Sequence, residues 1–322
     1  MTKNNGEITP EDEVRQHRIA VAEALFVTLL WSSSWVIIKF GLEELPPITF
    51  SGLRYLIASI ILMTVILSQK KLRRALQGQS RKWWLTVTAY GLVFVAITQG
   101  AQFVGLDILN AITVSLLLNL TPILVLVLGA ISLQEKPDAK QVAWILVGVI
   151  GVLIYFHPID LPFDQLLGLA VVLVGVIANA ASSIMGRAIN RNRILPPIVI
   201  TGVSITIGSL VLATVGLVLE GPTSVSPTSM AYLLWLGVVN TALAFTIWNK
   251  AMQTLRAIDV SIINGTMLPQ IVILSIIFLN EMPTLLDYFG LILVGLSAFF
   301  VQWVRAKKLN SRQKIPIEGE TI

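Results

Sequence analysis

Ten apolar runs dominate this chain, at roughly residues 19–40, 47–68, 83–104, 111–132, 139–156, 166–188, 197–219, 229–249, 257–279 and 285–304. Crossing a hydrocarbon core of ~30 Å takes about 20 apolar residues in a helix that rises 1.5 Å per residue. Even the shortest run, 139–156, would reach about 27 Å as a helix. The runs lack the polar–apolar alternation of barrel strands. Hydrophobic residues make up 55% of the 322 and charged residues 13%, against ~25% charged in a soluble domain. A disordered chain, a disulfide-stapled secreted domain and an ordinary cytosolic enzyme are therefore excluded. The expected fold is an all-α polytopic membrane protein of ten transmembrane helices. With no cysteine in the chain, disulfides, thiolate catalysis and Cys-bound zinc are excluded too.

The positions of Lys and Arg set the orientation. With the N-terminus in the cytoplasm, 21 of the 23 fall in cytoplasmic tails and loops. The opposite face receives none, and the other two, Lys39 and Arg54, lie inside spans. This one-sidedness predicts both termini on the cytoplasmic side of an inner (plasma) membrane. Residues 1–18 and 306–322 become cytoplasmic tails. The first 18 residues lack an apolar h-region, so no signal peptide is read there. The basic balance, with a pI near 9.5, follows from this topology and implies no nucleic-acid partner.

The chain also repeats itself. Ala111-Ile-Thr-Val-Ser115 returns as Ala257-Ile-Asp-Val-Ser261, and each copy is followed by a proline, Pro122 or Pro269. Each proline leads to an L-x-E-x-P motif, Leu133–Pro137 or Leu279–Pro283. Gly91-Leu-Val matches Gly237-Val-Val, and Leu45-Pro-Pro-Ile48 matches Leu195-Pro-Pro-Ile198. Residues 19–156 thus duplicate residues 157–305. A five-span unit is odd, so its second copy must run inverted through the membrane. Inverted repeats are a common plan of secondary transporters, with the site near the midplane.

These residues carry a resemblance. Leu30-Trp31-Ser-Ser-Ser-Trp35-Val-Ile-Ile-Lys39, Leu45-Pro-Pro47 and Leu53-Arg54-Tyr-Leu-Ile-Ala58 resemble the opening of an EamA-type protein of the drug/metabolite transporter superfamily. In the second half Gly237–Phe245, Trp248, Leu268-Pro269, Glu281, Gly290 and Gly295 are similar to the same family. The resemblance covers about residues 20–305. It implies two inverted five-helix repeats around a central cavity, and export of amino acids or related metabolites.

Within the spans, polar residues gather around the two prolines. Asn119 and Thr121 flank Pro122, while Asn264, Thr266 and Gln270 surround Pro269. Proline frees a carbonyl and bends a helix, and freed carbonyls at membrane depth belong beside a cavity or a partner. Gln99, Gln102, Asn179, Asn240 and Ser34 add polar groups on other spans. Trp31 and Trp248 lie deep enough to wall the cavity. The expected substrate-binding set is therefore Trp31, Ser34, Gln99, Gln102, Asn119, Asn179, Trp248, Asn264 and Gln270. Pro122 and Pro269 are hinge candidates. The competing reading is that these amides and hydroxyls only join helices, at ~0.6 kcal/mol each.

Arg54 lies seven residues into its span after Pro47, roughly 10 Å deep. It reads either as a substrate-carboxylate anchor or gate, or as a structural group bonded to neighbouring carbonyls. Lys39 reads as snorkelling outward and pairing with Glu43. The glutamates of the L-x-E-x-P motifs read as helix-start residues favoured by the dipole. No acid lies at mid-span, and Glu23 sits near the cytoplasmic end of its span, so exchange or facilitated movement is expected rather than proton antiport. No catalytic, metal or cofactor motif is present, and no enzyme is expected. The expected partners are a small-molecule substrate and the lipid bilayer. A monomer is compatible with the sequence. The reading is a secondary transporter working outward by alternating access. Its alternatives are a multidrug efflux carrier for lipophilic compounds and a channel-like protein without a carrier cycle.

Overall fold

The computed structural model describes residues 10–133, 139–157, 162–190, 195–251, 254–255 and 263–313. Several sequence features lie outside them: Gln134–Pro137 of the first L-x-E-x-P copy, Ala257–Ser261, Arg191, Arg193, Arg256 and both chain ends. The side chains of Arg187 and Asn249 also lie outside the description.

Among the described residues the fold is helical, without strands. Eight helices are long and apolar enough to cross a membrane. They are α1 (Val14–Leu42), α2 (Pro47–Ser68), α3 (Arg81–Ile108), α4 (Ala111–Leu128), α6 (Phe163–Gly186), α7 (Pro197–Leu219), α8 (Pro227–Trp248) and α10 (Leu285–Val304). Two shorter apolar helices stand where the remaining runs were read, α5 (Ala139–Tyr155) and α9 (Ile263–Leu279). α5 has 17 residues, and the described part of α9 begins only at Ile263.

Local chemistry sets the helix starts. Pro47 and Pro197 occupy the first turn of α2 and α7, where a missing N–H costs nothing. The Ser226 hydroxyl accepts from the Ser229 N–H to cap α8, as Ser80 does from Trp83 for α3. Asn280 ends α9 in the left-handed region, at φ 54°, which asparagine tolerates.

The two halves pack by repeat mates. α2 and α7 lie antiparallel, with Gly52 against Leu212 and Ala213 and Gly202 against Leu62 and Ile66. A Cβ on Gly52 would fall 2.7 Å from the Ala213 nitrogen, so only glycine allows this approach. The mate of Gly52 is Gly202 and the mate of Leu62 is Leu212, so the two contacts are copies of one another. α5 and α10 pair the same way, through Gly151 against Gly290 and Val294. Ser297 donates to the Trp144 carbonyl at 2.6 Å there, and the Trp144 and Phe300 rings stack at 4.2 Å.

Regular α-geometry fails at matched places in the two halves. Asn119 closes the first segment of α4 three residues before Pro122, with ψ −8°. Thr266 does the same three residues before Pro269, with ψ −14°. The pyrrolidine ring removes one ladder hydrogen bond and crowds the preceding turn. Further π-helical stretches, Leu92–Ile97 in α3 and Trp235–Leu243 in α8, sit just after or around the repeated Gly91 and Gly237. In each, a threonine hydroxyl donates five residues back: Thr98 to Val93 and Thr241 to Leu236, both at 2.8 Å. Such π-turns widen a helix and turn its side chains.

One end of the bundle is closed. Trp35, Ile38, Phe50, Phe103, Leu106 and Ile112 form part of its apolar core. Charges tie the helix ends above that core. The Glu220 carboxylate accepts from the Ile48 and Thr49 N–H groups at 2.9 and 2.7 Å, at the start of α2. Glu281 accepts from Ala111 and Ile112 at 2.7 and 2.9 Å, at the start of α4. Glu44 accepts from Ser226 and Ser229, whose hydroxyls hold its carboxyl below the usual carboxylate range. Two expectations are corrected here. Glu281 caps a distant helix rather than the one that follows it, because its two oxygens match two adjacent orphan N–H groups. Lys39 is bonded not to Glu43 but to the Leu106 and Leu109 carbonyls, at 2.6 and 3.0 Å, where the C-terminus of α3 favours a cation.

Candidate functional site

A cavity of about 670 Å³ lies between the halves. Residues of α1, α2, α3, α4, α6, α8, α9 and α10 line it. Its deep end meets Trp35, Arg54 and Tyr55, against the closed core. Its other end runs to Trp248, Asn264 and Gln302, on the side of the Lys250–Glu23 ion pair.

Amides and aromatic rings dominate the lining, which holds no carboxylate among the described residues. The Asn179 amide donates to the Thr121 hydroxyl at 3.2 Å, joining α6 to the broken turn of α4. The Asn119 amide donates to the Ser115 carbonyl at 2.9 Å, on the N-terminal side of that break. Ser34 donates to the Trp31 carbonyl at 2.6 Å. The Trp31 ring centre is 5.1 Å from that of Trp248 and 5.5 Å from that of Phe245. These three rings make one apolar wall.

Arg54 is the charged residue among the described lining residues. It is 5% exposed. Its Nε donates to the Thr241 hydroxyl at 3.3 Å, and that hydroxyl is itself held by the π-turn of α8. The guanidinium carbon lies 5.2 Å from the Tyr55 ring centre and 5.9 Å from that of Phe103. Arg54 forms no ion pair among the described residues. A buried charge without a counter-ion is costly, so its retention here calls for a ligand or a function.

Comparison with known proteins decides the family. The model of the EamA-like transporter family matches residues 18–156 and, a second time, 166–303. The chain belongs to the EamA-like transporter family. It is a multi-pass membrane transporter. It is 24% identical to the "Probable amino-acid metabolite efflux pump" of Escherichia coli, over 89% of this chain and 97% of that protein. It is 27% identical to the "Uncharacterized transporter YoaV" of Bacillus subtilis, over 72% of this chain and 78% of that one. A crystal structure with 17% sequence identity superposes with a TM-score of 0.63, covering 91% of this chain and 99% of the other. That likeness shows a shared fold.

Of the residues expected at the site, Trp31, Ser34, Arg54, Gln99, Gln102, Asn119, Pro122, Asn179, Trp248 and Asn264 line this one cavity. Gln270 and Pro269 are not in the lining. The Gln270 amide is held by α1: its oxygen accepts from Ser32 at 3.0 Å, and its nitrogen donates to Thr28 at 3.3 Å and Thr266 at 3.1 Å. It fastens α9 to α1. Conversely, Gln302 of α10, outside the expected set, is part of the lining. Phe94, Tyr55 and Phe245 were also missed. The Phe94 and Phe245 side chains give no polar signal in an apolar span, and only the π-turns beside them mark them.

Proposed function

We propose that this protein is a secondary carrier that moves small amino-acid-like or related metabolites outward by alternating access. The observation that carries this reading is the cavity itself: one chamber between two repeats, lined with amides and aromatics, closed at one end by packing and capped helix termini. α5 and α9 complete ten spans, as residues 19–156 and 157–305 divide into two five-helix units. The antiparallel mate pairs α2–α7 and α5–α10 support an inverted repeat. Both termini face the cytoplasm of an inner (plasma) membrane, supported by the Lys and Arg distribution. The cavity then faces inward in this conformation. Arg54 receives a cargo carboxylate through its planar fork. Asn119, Asn179 and Asn264 orient the rest of the cargo, and the Trp31–Phe245–Trp248 wall takes its apolar part.

A ligand-stabilisation screen of the purified protein tests this. Amino acids and their carboxylate relatives should raise the melting temperature, and lipophilic cations should not. Asn179→Leu, which removes the Thr121 link and a cavity amide, should weaken the response roughly tenfold, about one lost hydrogen bond. Stabilisation by lipophilic cations alone would favour a multidrug carrier instead.

A further inference from the structure

Among the described residues the lining carries one charge, and its sign restricts the cargo. Arg54 has five N–H donors and uses one of them, Nε, on Thr241. The other four have no acceptor among the described residues. No carboxylate among the described residues lines the cavity. Resting on the carrier reading above, we propose that the cargo is a monoanion, a carboxylate on an apolar or aromatic body, and that the membrane potential alone drives it outward.

Charge balance carries the first half. A monoanion on Arg54 pairs both charges and leaves no unpaired charge among the described lining residues. A zwitterion brings an ammonium that must lose its water with no carboxylate to meet it. A cation adds a second like charge. The Trp31, Phe245 and Trp248 rings offer the apolar surface.

The second half follows from the same count. No described acid in the cavity can exchange a proton for cargo. None is needed for an anion in a cell that is negative inside. The loaded carrier is neutral at Arg54, and the empty carrier returns with the arginine charge exposed to the field. Each cycle therefore moves one negative charge outward, which sustains roughly a fiftyfold gradient per 100 mV.

The test uses proteoliposomes and three labelled probes that share a benzyl group: phenylpyruvate, L-phenylalanine and L-phenylalaninamide. A valinomycin potassium gradient sets an interior-positive potential. Phenylpyruvate uptake should rise at least tenfold over zero potential, should be inhibited by unlabelled phenylpyruvate, and should be lost in Arg54→Met. Phenylalanine and its amide should compete at least tenfold less well. Better transport of either, or phenylpyruvate uptake that ignores the potential, overturns the anion proposal while leaving a carrier in place. Absence of protein-dependent uptake of all three overturns it as well, and the stabilisation screen then decides separately whether the carrier reading stands. Uptake that fails to saturate counts against the carrier and not against charge selection.

Discussion

Replacing Arg54 with methionine should make the empty protein more stable and nearly abolish carboxylate binding. The two effects have opposite sign because they come from the same charge. Arg54 is 5% exposed and unpaired among the described residues. Exchanging a buried, poorly compensated charge for an apolar side chain of similar volume commonly stabilises by about 1–4 kcal/mol. The melting temperature of Arg54→Met should therefore rise. Losing one partner of a buried charge-assisted pair costs binding about 2–5 kcal/mol, or roughly 30-fold and more. Arg54→Lys retains the charge but not the fork, and should fall between wild type and methionine in affinity. The structural alternative makes the reverse forecast. If Arg54 fastens α2 to α8 through Thr241, both variants should melt lower, and ligand response should fall only as stability does.

The second large effect concerns the closed end. Glu281 supplies two acceptors to the start of α4, and Glu220 two to the start of α2. Opening the cavity on that side separates the elements these bonds join. Hydrogen bonds to charged groups contribute about 1.5–3 kcal/mol, so Glu281→Ala should shift the resting equilibrium towards the open form by roughly ten- to a hundredfold. The native chain has no cysteine, so a single cysteine at Gln99 reports without background. In intact cells an impermeant thiol reagent should label it slowly in the wild-type background. The Glu281→Ala background should label at least tenfold faster. Unchanged labelling means that the carboxylate cap travels with its helices and does not hold the end shut.

How much of this was legible in the residues differs by interaction range. The apolar runs, the paired prolines and the repeated Gly91 and Gly237 are local signals, and the broken turns at Asn119 and Thr266 follow from proline chemistry at a known position. The cavity amides on α3, α4 and α6 were also legible, because a polar side chain inside hydrocarbon needs a polar environment. Gln270 shows where that logic stops. It sits beside Pro269 as Asn119 does near Pro122, yet its hydrogen-bonding needs are met by Thr28 and Ser32 of α1. Nothing in α9 announces a partner 242 positions away in sequence. Lys39 and Glu281 are similar cases. Each found orphan backbone groups at the end of another helix, and backbone groups leave no trace in composition. The π-turns were hidden for a further reason: their side chains are those of any apolar helix, and only packing against Ser204 and Ile57 at the two glycines sets them apart.

The most direct measurement of alternating access at one cavity is counterflow. Proteoliposomes are loaded with an unlabelled cargo taken from the stabilisation screen and diluted into trace labelled cargo. A carrier exchanges inside for outside molecules one at a time, so label should first overshoot its equilibrium level inside and then decay. The overshoot should saturate with cargo and vanish in Arg54→Met. Label that rises monotonically to equilibrium, without saturation, would contradict a carrier and establish a continuous pore.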